Sequence, residues 1–188
     1  MLSCMHKIPT ACWLDPRVTV QPSPIHGRGL FAIAAIGAGE VVKVFGGTIV
    51  TDAQIQAIIK RGDRYDGIGL GPDQNLWIDS SWPGSSGNHA CDPNLWMQDM
   101  VTLTARRPIP AGEELTTDYA MFTAIPAWSL VCHCGSRLCR GVVTGNDWHR
   151  EDLQARYRGH FAPFINNLIQ QHTIGLSTNR GRDPSGPA

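Results

Sequence analysis

Three cysteines stand within 8 residues of one another as Cys132-x-Cys134-x4-Cys139. In a reducing compartment, clustered cysteines read as a metal site rather than as disulfides. A structural zinc ion takes four N or S ligands in a tetrahedron. The cluster supplies three thiolates, one short of a closed site. The spacing by itself leaves the fourth ligand open. The alternative is a set of free thiols. Arg137 and Arg140 flank the cluster and offset its excess negative charge.

The rest of the chain is read around that constraint. Its 188 residues suffice for one domain with a core and appendages, and 42% hydrophobic residues make it globular. Counts of 20 glycines and 13 prolines imply many turns and short elements, which fits a mainly β (α+β) fold. The formal net charge is +0, from 16 basic and 16 acidic residues with no Lys/Arg run, which argues against electrostatic binding of nucleic acid or membranes. No apolar stretch approaches ~18 residues, and 1–16 lack a signal-peptide core. The expected location is cytoplasmic, or nuclear in a eukaryotic source.

Residues 1–16 read as an arm carrying Cys4, His6 and Cys12. These are too few and too loosely spaced for a second metal site, so free thiols are expected there. Val18 and Val20 alternate as a strand. Gly27 and Gly29 mark a turn, or a loop whose missing side chains let a ligand approach the backbone. Residues 37–40 form a tight turn, and 41–50 are strand material. Thr51 and Gln54 form a capping box for a helix that buries Ile55, Ile58 and Ile59 and stops at Gly62. Ile68/Leu70 and 76–79 pair as a hairpin. Residues 95–105 read as one long strand. Residues 121–130 are a linker. Residues 147–157 read as a helix with an Asn or Asp cap. A second, short helix follows Pro163. Residues 177–188 are a loose tail.

Two further stretches carry chemistry: Asn88-His89-Ala90-Cys91-Asp92-Pro93-Asn94 and Gly112-Glu113-Glu114-Leu115-Thr116-Thr117-Asp118-Tyr119. Taken in order with Gly27-Arg28-Gly29 and the cysteine cluster, they resemble the SET-domain protein lysine methyltransferases over about 18–141 of the sequence. The resemblance implies several small β-sheets, with the two stretches crossing in a knot-like arrangement. It implies a division into the arm 1–16, a SET domain 17–130, a post-SET zinc module 131–145, a C-terminal helical extension 146–175 and a tail 176–188. It also implies that Cys91 is the fourth zinc ligand beside Cys132, Cys134 and Cys139, which leaves the ion no open position. S-adenosylmethionine (SAM) would lie against Gly27, Arg28, Gly29, Leu30, Tyr65, Asn88, His89 and Leu130. For Tyr65, a place in the core is the alternative.

The implied activity is methyl transfer from SAM to a lysine amine, with a protein or peptide substrate. Tyr119 matches the catalytic tyrosine and would orient the amine rather than act as a strong base. Asp118 and Glu114 would support the crossing. Two departures stand out. Ser85-Ser86-Gly87 occupy positions where the family carries an Arg-aromatic-apolar run, which questions how that wall is packed. Thr117 stands where the family holds Phe or Tyr, which implies a roomier pocket and more than one methyl. The rival readings are a SET-fold binding module without turnover and an enzyme acting on a small-molecule amine.

Overall fold

The computed structural model describes residues 8–62 and 66–180. Strands Trp13–Leu14 (β1), Val18–Pro22 (β2), Arg28–Ala32 (β3), Val41–Val44 (β4) and Thr48–Val50 (β5) precede helix Asp52–Lys60 (α1). Asp66–Gly71 (β6) and Gln74–Ile78 (β7) form a hairpin, and a 3-10 turn at Pro83–Ser86 leads to Asn88–His89 (β8). Leu95–Met97 (β9), Thr102–Ala105 (β10) and Glu114–Thr117 (β11) follow. Ser129–Val131 (β12), Val142–Thr144 (β13) and helices Glu151–Arg156 (α2) and Pro163–Arg180 (α3) complete the described chain. The fold is mainly β, with sheets ordered β1-β4-β10-β9, β2-β3-β11-β8, β5-β7-β6 and β12-β13.

Most pairings are antiparallel, as expected for short elements joined by tight turns. The exception is β11 with β8, which run parallel with Thr116 opposite Asn88 and Thr117 opposite His89. Leu30, Ile36, Leu76, Leu95, Met97 and Leu115 lie at the centre of the core. Helix α1 begins as expected: the Thr51 N–H donates to Gln54 Oε1 at 2.8 Å, and the Gln54 N–H donates back to Thr51 Oγ1 at 3.3 Å. Ile55 and Ile58 are buried beneath it, and Gly62 ends the run with a φ of 81°.

Four expectations are corrected. Residues 95–105 are not one strand but the hairpin β9–β10, because Asp99 Oδ1 accepts both the Val101 and Thr102 N–H groups at 2.8 Å and turns the chain. Residues 147–157 split into a 3-10 turn at Asp147–His149 and α2. Neither Asn146 nor Arg150 caps with its side chain, and Asp147 is drawn away to Thr144 and Arg140. The tail begins later than expected, since α3 runs to Arg180, and 181–188 lie outside the described residues. The arm ends earlier: Trp13 and Leu14 pair with Val44 and Lys43. Cys12 is a free thiol, bonded to the Gly46 backbone, whereas Cys4 and His6 lie outside the described residues.

Candidate active site

The two motif stretches lie against each other, and two asparagines fasten them. Asn94 is buried; its amide nitrogen donates to Glu113 Oε1 at 2.7 Å and the Glu114 carbonyl at 2.8 Å, and its oxygen accepts the Thr116 N–H at 2.9 Å. Asn88 Nδ2 faces Ser23 Oγ, the His26 and Arg28 carbonyls and Glu114 Oε1, at 2.8–3.1 Å. One amide thus ties the Gly27-Arg28-Gly29 loop to both stretches. Gly27 needs its glycine for a φ of 50°, and the space beside its Cα is open. Gly29 has a different reason: a Cβ there would collide with the Glu114 carboxylate. At Gly29 the close approach is made by the protein's own Glu114 carboxylate.

His89 is spent inside the fold. Its Nδ1 accepts the Tyr119 N–H at 3.2 Å, so Nε2 carries the ring proton and points at Cys91 Sγ, 3.3 Å away. Burial pushes its pKa down to about 4, so the ring is neutral near pH 7 and is not placed to act as a base. Asp118 accepts the Ala120 N–H at 3.0 Å and caps the 3-10 turn Tyr119–Met121. The Tyr119 side chain leaves that turn between His89, Phe122 and Trp128, and its hydroxyl donates to the Gly87 carbonyl at 2.8 Å.

The cysteine cluster gathers as expected. The sulfurs of Cys91, Cys132, Cys134 and Cys139 lie within 4.8 Å of one another. A tetrahedral zinc ion with Zn–S bonds of about 2.3 Å requires sulfurs about 3.8 Å apart. Cys91 and Cys132 sulfurs are separated by 3.8 Å, so the residues fit the ion. Burial pushes the Cys91 thiol up to about 11 and raises Cys132 as well, so binding a metal there releases protons. Trp128 packs against this cluster and also reaches Tyr119.

A cavity of about 890 Å³ opens between α1, the β6–β7 hairpin, α3 and the 123–128 segment, and Tyr119 lines it. Among the described residues expected to hold a cofactor, Leu30 lines the cavity, while Gly27, Arg28, Gly29, Asn88 and His89 do not. Leu130 sits on β12, opposite Val143, at the cysteine module. Tyr65 lies outside the described residues.

The SET domain family model matches residues 27–120, half of the chain. The chain belongs to the SET-domain family. It is 35% identical over 138 residues to human Histone-lysine N-methyltransferase 2B, covering 65% of this chain and 5% of that protein. Histone-lysine N-methyltransferase trithorax of Drosophila melanogaster is 34% identical over 138 residues, covering 65% of this chain and 4% of its own length. Histone H3-lysine(4) N-trimethyltransferase ATX1 of Arabidopsis thaliana is 32% identical over 154 residues, covering 74% of this chain and 14% of its own. The chain therefore spans only a small part of these relatives. The crystal structure of the methyltransferase domain of human SETMAR shares the fold, with a TM-score of 0.56, 22% identity, and coverage of 68% of this chain and 58% of that one.

This SET domain rebuilds its departing wall with a residue that local patterns had not singled out. Around Ser85-Ser86-Gly87 the chain is slim, and the side chain of Lys43 fills the gap from β4. Its Nζ donates to the Gly84 carbonyl at 2.7 Å and lies 4.4 Å from the Phe45 ring centre and 5.2 Å from that of Trp82. Burial lowers its pKa to about 8. A lysine in an apolar strand carries no sequence signal for such a place. Asn94, Ser23 and Tyr157 were missed for the same reason, since their partners are far away in sequence.

Proposed function

We propose that this SET domain transfers a methyl group from SAM to the side-chain amine of a lysine in a protein or peptide. The observation that carries the reading is the Tyr119 hydroxyl, fixed on the Gly87 carbonyl at the edge of the cavity. SAM, when bound, supplies an electrophilic methyl on a sulfonium sulfur. The loop at Gly27, Arg28, Gly29 and Leu30, with the backbone of Asn88 and His89, would hold it. The open space beside Gly27 suits that role, and Asn88 presets the loop.

The remaining work falls to the chain's own groups. A lysine amine must arrive neutral, which at pH 7 costs about 4.6 kcal/mol for a reference pKa of about 10.4. Dehydration lowers that cost by disfavouring the ammonium form. Phe122 and Trp128 beside Tyr119 supply apolar surface for this. The Tyr119 hydroxyl donates to the Gly87 carbonyl, which fixes the oxygen that would accept an amine N–H and orient the nitrogen. Thr117 also lines the cavity, and its small side chain favours addition of more than one methyl. The cysteine cluster would bind structural zinc, and its thiols, with that of Cys12, suit a reducing compartment such as the cytoplasm or nucleus. The balanced charge gives no reason to expect nucleic-acid or membrane binding.

The test pairs the wild-type chain with Tyr119→Phe, incubated with labelled SAM and a whole proteome, with products mapped by mass spectrometry. Tyr119→Phe is expected to keep SAM binding and lose about a hundredfold or more in rate, since misplacing the reacting groups costs that much. An unchanged rate would remove Tyr119 from the mechanism. SAM binding without labelled product would indicate a binding module, and label on small amines alone would indicate a different acceptor.

A further inference from the structure

Arg140 follows Cys139 directly, yet its side chain leaves the cysteine cluster and enters the core. Its side chain is 6% exposed, and its guanidinium grips Asp118 with both terminal nitrogens, NH2 lying 2.7 Å from Asp118 Oδ1, while Nε lies 2.8 Å from Asp147 Oδ2. Its backbone N–H donates to Cys91 Sγ at 3.3 Å. One residue is thus attached to the thiolate cluster through its backbone and to the turn bearing Tyr119 through its side chain. Asp118 is held from a third side by the Tyr157 hydroxyl, which donates to Oδ2 at 3.0 Å. Such a planar, two-pronged contact fixes direction as well as distance, which a lysine at the same place does not do.

We infer that Arg140 is a positioning residue that couples occupancy of the four-cysteine site to the placement of Tyr119. The inference rests on the proposed metal site and on the role proposed for Tyr119. An ion held by the four thiolates would hold the Cys139–Arg140 backbone at Cys91, whose Sγ the Arg140 N–H already meets. The buried guanidinium then holds Asp118, and Asp118 holds the N-terminus of the turn from which the tyrosine projects. A charge buried this deeply is stable only with its partners in place, so the arrangement switches as a unit rather than loosening gradually.

The experiment uses the full chain labelled with 3-fluorotyrosine. Tyr65, Tyr119 and Tyr157 are its three tyrosines, so each fluorine resonance is assigned by a single Tyr→Phe variant. Spectra are recorded with one equivalent of zinc and after its removal by a chelator. In the wild type the Tyr119 resonance is expected to move on zinc removal. In Arg140→Met, with zinc still bound, it is expected at the zinc-free position and unresponsive to the chelator. Arg140→Lys, which keeps the charge but not the fork, is expected in between and is read alone if Arg140→Met does not hold zinc. Asp147→Asn leaves the Asp118 contact and should keep the wild-type response.

A zinc-loaded Arg140 variant whose Tyr119 resonance coincides with the wild type overturns the inference, even if it unfolds at a lower temperature. A wild type that binds no zinc overturns the metal reading and the coupling together. Full methyl transfer by Tyr119→Phe, with the wild type's zinc response intact, removes Tyr119 from the mechanism and leaves its coupling to the cysteine site standing.

Discussion

Lys43 shows how a single side chain is shaped by its surroundings. A lysine wholly inside an apolar wall is a stability cost while charged, offset in part by the Gly84 carbonyl and two aromatic faces. Its folded pKa of about 8 lies below the ordinary value of 10.5, so the unfolded chain binds the proton more tightly. The cost is therefore fully present below pH 8 and is relieved as pH rises from 8 to 10.5. Denaturant unfolding of the wild type and Lys43→Met across that window should show the wild type gaining about 3 kcal/mol relative to the variant. Parallel curves for the two chains would mean that Lys43 titrates normally. Asn88 makes a complementary point: its side-chain amide is committed to the His26 and Arg28 carbonyls and Glu114, so any contact it makes with a cofactor falls to its backbone, as the resemblance implies for much of it.

At the level of elements, local hydrogen bonds decide where segments begin and turn. The reciprocal Thr51–Gln54 pair starts α1, and the Asp52 carboxylate accepts from Asn75 Nδ2 at 2.6 Å, anchoring the helix to β7. Asp52, Ile55 and Gln56 of α1 line the cavity, so the cap also sets one of its walls. Thr51→Ala should destabilise the chain by about 1 kcal/mol, measured by denaturant unfolding. Amide exchange should quicken in 52–60 before it does elsewhere. An unchanged midpoint would show that the anchor to β7 suffices without the cap. The capping box was legible because donor and acceptor sit three residues apart. The β9–β10 turn was equally local, but a run of apolar and β-branched residues around Asp99 hid it.

For the whole molecule, the decisive event is the return of the C-terminal segment to the crossing. Cys91 lies in the stretch that pairs with β11, and Cys132, Cys134 and Cys139 reach it from beyond the 123–128 segment. Metal binding at such a site contributes folding free energy directly. Cys91→Ser and Cys139→Ser should therefore behave alike, with less bound zinc, a mobile segment after residue 131 and weaker SAM retention. Cys12→Ser should leave zinc content unchanged, because its thiol is occupied with the Gly46 backbone. A metal assay on the three variants decides this. Full zinc in Cys91→Ser would place the fourth ligand elsewhere.

What the sequence determined by itself was whatever depends on neighbours in the chain or on ordered motifs. The turn-rich, mainly β class followed from composition. The α1 cap and the β6–β7 hairpin followed from short-range pattern, and the family and its four-cysteine set followed from motif order. Tertiary structure decided the rest, because the partners are distant in sequence and no local pattern ranks one distant partner above another. Asn88 and Glu114 meet across 26 residues, Tyr157 reaches Asp118 across 39, and Arg140 joins that same carboxylate across 22. Lys43 fills a wall whose own residues are too small to build it. A buried charge is tolerated only where the fold brings its counterpart, and that meeting exists only after the chain has folded.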